Sequence, residues 1–150
     1  LTDKPKCPVC IEQRGACFRK CEYPDNYCRE HHFERERAKK TKRHRSTVEK
    51  KYNLPPGGYD AIKESQDGKC YICRRATGKS KNLAVEHDHA CCDRQGSCGE
   101  CVRCLACASC NRGVLGHLRD DVEALKRAID VIELRPAQEV LNEMRNRDAA

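Results

Sequence analysis

Four consecutive residues, Glu86-His87-Asp88-His89, and an asparagine further on, Asn111, carry the side chains that a phosphodiester-hydrolysing centre requires. Such a centre needs a base with a pKa near neutrality, a hard oxygen ligand for a divalent cation, and a group that holds the phosphate. Histidine suits the first task. A carboxylate together with the side-chain oxygen of Asn111 suits the second, because Mg2+ prefers few protein oxygens and several waters. The competing reading makes His87 and His89 ligands of a further zinc ion, or hydrogen-bonded structural residues. Two Cys-x2-Cys knuckles, Cys70/Cys73 and Cys107/Cys110, bracket the run. Each such pair can wrap one edge of a tetrahedron, so two at matched spacing point to structural zinc.

The elements that must position these groups are short. Leu83-Ala-Val85 reads as a strand, Val102 to Ala106 as its antiparallel partner, and Cys107 as the start of a helix through Asn111. Zinc would pin the base of this hairpin to the helix. Strand alternation sets Glu86 and Asp88 on one side and His87 and His89 on the other, provided the strand runs that far. A tight turn would suffice to close the hairpin, yet the connection carries Cys91, Cys92, Cys98 and Cys101, with Cys104 beyond. Cys98 and Cys101 with Cys91 or Cys92, and Cys104 as a further candidate, form a possible extra zinc site; the alternative is that some are only packed.

Cys70-x2-Cys73, Val85-Glu86-His87-Asp88-His89, Val102-Arg103 and Cys107-x2-Cys110-Asn111 followed by Leu115-Gly116 resemble the phage recombination endonuclease VII family. This is a His-Me-finger (HNH-like) group of Holliday-junction resolvases. The likeness also takes in Tyr59 to Gln66 and Asp120 to Glu133, roughly half the chain. It implies a ββα-metal fold, structural zinc on Cys70, Cys73, Cys107 and Cys110, and one catalytic Mg2+ or Mn2+. By position, it makes His87 the general base, Glu86 and Asn111 the ligands of the catalytic metal, and His89 the contact to the scissile phosphate. The family usually has Asp where this chain has Glu86, whose oxygen lies about one methylene further out. Some relatives have an acidic residue three beyond the asparagine; Val114 stands there, so no third protein ligand is assigned. The family also implies a homodimer, since symmetric junction cleavage needs two active sites.

Upstream, Cys7-x2-Cys10 and Cys28-x2-His31 make a second four-ligand set, with Cys17, Cys21 and His32 left over. Residues 1–33 thus read as an N-terminal zinc finger. Residues 34–58 read as a basic helix and linker, with the helix from Phe33 to Tyr52. Between Arg35 and Lys51 lie nine Lys/Arg (Arg35, Arg37, Lys39, Lys40, Lys42, Arg43, Arg45, Lys50, Lys51) and two Glu, which accounts for the whole net charge of +7. Such a stripe fits a polyanion, here DNA; a merely solvated helix face is the alternative. Residues 59–117 form the core with the zinc knuckles, opened by a short helix from Tyr59 to Gln66. Residues 118–150 form two helices, the first capped by Asp120 and carrying Val122, Leu125, Ile129 and Ile132 on one face, the second carrying Val140, Leu141 and Met144. These faces serve core packing or a dimer interface.

With 38% hydrophobic residues and no Trp, a purely hydrophobic core is thin, so metal or oligomerisation should supply part of the stability. No signal peptide or long apolar run is seen, and the repeated x2 spacing among the fourteen cysteines favours zinc in a reducing cytoplasm over disulfides. The expectation is a small, zinc-stabilised α+β protein holding one to three zinc ions. It acts on branched or four-way DNA, with no membrane association, in the host cytoplasm if phage-encoded. The competing functions are an HNH nuclease nicking duplex DNA and a non-catalytic zinc-finger DNA-binding protein.

Overall fold

The computed structural model describes residues 5–92 and 96–148. It shows a small α+β protein whose chain falls into two compact units. One comprises residues 1–61 with 89–101; the other comprises 62–88 with 102–150.

In the first unit, α1 (Pro8–Arg14) starts on a proline at its first turn and is closed by Gly15, whose N–H donates to the Ile11 carbonyl. A turn at Pro24–Asn26, bridged by Tyr23 and Tyr27, leads into the 23-residue helix α2 (Arg29–Lys51). This helix begins four residues before the expected Phe33, because Cys28 and His31 are drawn together and Cys28 caps its start. His31 is its one buried residue among those described. Beyond α2 the chain folds back on it. Glu49 accepts a hydrogen bond from the Gly57 N–H at 2.9 Å, and Arg45 pairs with Asp60. Helix α3 (Gly58–Ser65) follows.

The second unit is built on a two-stranded antiparallel hairpin, β1 (Ala84–His87) and β2 (Val102–Ala106). Leu83 lies just before β1 rather than in it. The register pairs Val85 with Leu105 and Glu86 with Cys104, then slips so that His87 faces Val102, leaving Arg103 as the extra residue of a β-bulge. Leu83, Val85, Leu105 and Ala106 form the apolar centre beside Cys70, Cys104 and Cys110. A buried glutamine completes it. Gln66 accepts from the Leu105 N–H at 2.8 Å and donates to the Leu105 carbonyl at 2.9 Å and the Lys69 carbonyl at 2.8 Å. One side chain thus does for the outer edge of β2 what a third strand would do.

After β2 a helix of the wide, π type runs Ser109–Gly116, starting two residues later than Cys107. Helix α4 (Val122–Glu133) is capped by Asp121, whose carboxylate accepts from the N–H groups of Glu123 and Ala124. Asp120, the expected cap, is instead turned towards Arg103. Helix α5 (Ala137–Asp148) follows. The apolar faces of both helices stand in solvent: Val122, Ile129, Ile132, Val140, Leu141 and Met144 are all exposed. Leu125, on the same face of α4, is half-buried.

Replacing Gln66 by Leu, nearly isosteric but unable to hydrogen-bond, strands the buried Leu105 amide. We expect a loss of about 1–3 kcal/mol in denaturant unfolding, with the zinc content unchanged.

Candidate metal centres and active site

Three groups of thiol and imidazole donors converge, and their spacing identifies the metal that suits them. Zinc–sulfur bonds of 2.3 Å in a tetrahedron place neighbouring sulfurs about 3.8 Å apart. Cys10 and Cys28 are 3.8 Å apart, Cys73 and Cys107 4.0 Å, and the Cys91–Cys98 and Cys92–Cys101 pairs 3.9 Å each. The donor sets are Cys7, Cys10, Cys28 and His31; Cys70, Cys73, Cys107 and Cys110; and Cys91, Cys92, Cys98 and Cys101. Soft, four-fold and tetrahedrally spaced, they fit structural zinc and leave no open position for catalysis.

The first set is buried throughout, and His31 Nδ1 lies 3.3, 3.5 and 3.4 Å from the sulfurs of Cys7, Cys10 and Cys28. Burial works against a charged Cys7. Backbone N–H groups of Cys28 and Cys10, with His31 and Cys28, outweigh it and bring the thiol down to about 6. Cys17 and Cys21, 3.4 Å apart, pack against this centre without joining the four. In the second set, backbone N–H groups of Ala76 and Arg75 bring Cys73 down to about 6, while burial first and then its neighbour thiols push Cys110 up to about 12. The Cys107 N–H donates to Cys70 sulfur at 3.2 Å. In the third, Cys98 sits at about 7, lowered chiefly by the Cys101 N–H. Each centre therefore holds at least one thiol poised as thiolate near neutral pH.

Cys104 does not belong to the third set. It is buried on β2 opposite Glu86, and burial, reinforced by the charge of Glu86, raises its thiol to about 11. The short spacing from Cys101 suggested a ligand; strand alternation and the core claimed the side chain instead.

Of the residues singled out for chemistry, Glu86 and His87 close β1, and Asn111 stands in the wide helix. Glu86 is only 3% exposed, which puts a carboxylate where its charge must be compensated. His87 is half-buried, His89 is exposed, and Asn111 lies half-buried in the wide helix, its N–H bonded to the Cys107 carbonyl at 2.9 Å. His89 opens the segment that groups with the first unit. Sequence reasoning assigned no role to Arg103, yet its guanidinium reaches three carboxylates: Glu86 at 3.5 Å, Asp88 at 3.3 Å and Asp120 at 3.1 Å. The bulge re-aims it. Partial burial disfavours its charge, but the three acids more than offset this and raise its pKa. Arg119 and Asp120 both adopt positive φ, at 53° and 57°, in the turn that brings Asp120 to this pairing. The Val102-Arg103 dipeptide was visible in the sequence; its partners, fifteen and seventeen residues before it and seventeen after, were not.

On α2 the basic side chains are exposed except for half-buried Arg45. Arg35 pairs with Asp25, Lys39 with Glu36 and Arg45 with Asp60. Phe33, Glu36, Arg37, Lys39, Lys40 and Arg43 line a shallow groove along the helix. Among the described residues no helix is long and apolar enough to cross a membrane.

Elemental analysis is expected to give three zinc ions per chain; a single ion would refute both accessory centres. Stripping the zinc with a strong chelator should abolish the cooperative thermal transition. Arg103→Met should cost about 1.5–3 kcal/mol in unfolding by removing charged hydrogen bonds, without loss of zinc.

The model of the recombination endonuclease VII family matches residues 45–134. A Gene 59 protein of Mycobacterium phage D29 is 39% identical over 137 residues, covering 91% of this chain and 78% of that protein. The Gene 59 protein of Mycobacterium phage L5 is 37% identical over the same length, covering 91% and 79%. No solved structure matches the chain. The matched region spans the basic helix end, the zinc knuckles, the Glu86-His87 strand, Asn111 and α4. The chain belongs to the recombination endonuclease VII family, a family of nucleases.

Proposed function

We propose that this chain is a divalent-metal-dependent endonuclease that resolves branched DNA such as four-way junctions. In this reading the β1–β2 hairpin and the helix Ser109–Gly116 form a ββα-metal core. The observation that carries the proposal is the buried Glu86 carboxylate at the end of a strand, followed directly by His87, in a chain whose Asn111 is fixed next to Cys110 of a zinc frame. Glu86 and Asn111 offer the hard oxygens that would hold Mg2+ or Mn2+, which when bound would supply stabilisation of the negative charge on the departing 3′ oxygen. His87 takes a proton from the attacking water as its oxygen adds to phosphorus and the bond to the 3′ oxygen breaks. His89 contacts the scissile phosphate. The basic side chains of α2 neutralise backbone phosphates and set position rather than sequence preference. The exposed apolar faces of α4 and α5 meet those of a second copy, so that two centres act on one symmetric junction.

Cleavage of a four-way junction and of a matched linear duplex with Mg2+ or Mn2+ tests this. The junction should be cut by paired nicks in preference to the duplex, and His87→Ala should lower the rate by about 10²–10⁴-fold while junction binding persists. Equal cleavage of both substrates would instead favour an HNH nuclease that nicks duplex DNA. Binding without cleavage under any divalent metal would leave a zinc-finger DNA-binding protein, and full activity in the variant would remove His87 as the base.

A further inference from the structure

The third cysteine set lies in the connection between β1 and β2, much longer than a hairpin needs, and residues of that connection are tied to the C-terminal end of the basic helix. Asn53 Nδ2 donates to the Cys98 carbonyl at 2.8 Å, and the Ser97 N–H points to the Lys51 carbonyl at 3.4 Å. The approach is close enough to require glycine twice. Gly99 has φ +95°, and a Cβ there would stand 2.7 Å from the Asn53 carbonyl oxygen; Gly96 has φ +119°, and a Cβ there would collide with the Lys51 carbonyl. Both positions therefore need the absence of a side chain as well as its conformational freedom. Within the connection, Ser97 Oγ accepts from the Gly99 N–H at 2.8 Å and from the Cys101 thiol at 3.3 Å, so the turn that meets α2 is part of the same small structure as the ligands.

We propose that the Cys91, Cys92, Cys98 and Cys101 centre is a zinc clasp for the end of α2. The ion shapes the connecting loop into a knuckle, and the knuckle grips Lys51 to Asn53. Among the described residues 89–92 and 96–101 there is no helix or strand, so the free energy of coordination is what folds the knuckle. The target of the grip is specific. The last carbonyls of a helix carry the negative end of its dipole and repel phosphate; the knuckle faces the Lys51 carbonyl with an N–H and leaves the Lys50 and Lys51 side chains exposed. Cys91 and Cys98 are exposed, whereas the first centre is buried throughout, so this ion is the first that a competing chelator removes. The clasp stands apart from the catalytic assignment; only its effect on DNA rests on the proposed function.

The test uses the full zinc-loaded chain. Cys98→Ser with Cys101→Ser should lower the zinc content from three ions to two. It should raise hydrogen–deuterium exchange at Lys51 to Leu54 at least ten-fold, leave exchange in β1 and β2 unchanged, and weaken junction binding three- to ten-fold. Gly99→Ala keeps every ligand and should retain three ions while losing the same protection, which separates the grip from the metal. Graded chelation of the unmodified chain should release one ion ahead of the others, together with that protection. A double variant that keeps three ions, or a release of this ion that leaves Lys51 to Leu54 protected, overturns the clasp. Loss of protection with undiminished junction affinity overturns its link to DNA and leaves the His87 reading untouched.

Discussion

The thiols of Cys70, Cys73, Cys107 and Cys110 converge from a knuckle before β1, from the residue that follows β2 and from the first turn of the wide helix. Very little apolar mass surrounds them. The largest fully buried side chains of the described residues are one leucine, Leu105, and three cysteines, Cys7, Cys28 and Cys70. A domain built this way cannot rely on buried area, since a cysteine contributes far less apolar surface than a leucine or phenylalanine. Zinc held by these thiols would supply what area does not, and would do so directionally. That directionality matters for the site: Asn111 follows Cys110 in the chain and its N–H is bonded to the Cys107 carbonyl, so a metal on these thiols would also fix the helix carrying a candidate catalytic ligand.

Charge is handled with the same economy. Glu86 is nearly inaccessible, and an isolated carboxylate in that position would cost several kcal/mol or take up a proton. Arg103 compensates it from the bulge on the facing strand, and also binds Asp88 and Asp120. The guanidinium thereby couples the end of β1 to the turn that follows the wide helix, the two places between which a ββα-metal centre would have to be set. Three acids around one arginine leave a net negative charge, the electrostatic setting that a divalent cation favours.

The parts of this architecture governed by local spacing were legible in the sequence. The two knuckles, the Cys7/Cys10/Cys28/His31 set, the two strands and the polar helix α2 follow from ligand pairs two residues apart and from residue type along short windows. What escaped is non-local. Gln66 was read as the end of a short helix; nothing in its neighbourhood indicates that it would hydrogen-bond both backbone groups of Leu105, thirty-nine residues on. The bulge at Arg103 depends on how two strands settle against each other. Asp120 and Asp121 are equally good caps by type, and only the pull of Arg103 on the first decides for the second. Cys104 was misplaced for a related reason: spacing along the chain said ligand, and the inward face of β2 said core.

The exposed surfaces divide into two kinds, and the division bears on how such a chain would use them. Helix α2 presents charge. Its neutralised positions, Arg35, Lys39 and Arg45, leave Arg37, Lys40, Lys42, Arg43, Lys50 and Lys51 exposed for a polyanion. Helices α4 and α5 present apolar side chains, with Ile132 77% and Val122 60% exposed. A polar helix of 23 residues tolerates water, but twelve-residue helices are marginal on propensity alone and draw their stability from packing an apolar face. The proposed second copy meets that need in a way DNA cannot, because phosphate offers no apolar surface to cover isoleucine and valine. On the proposed function, nucleic acid would call on the charged side chains of α2 and a second copy on the apolar faces of α4 and α5, because the two partners need opposite chemistry.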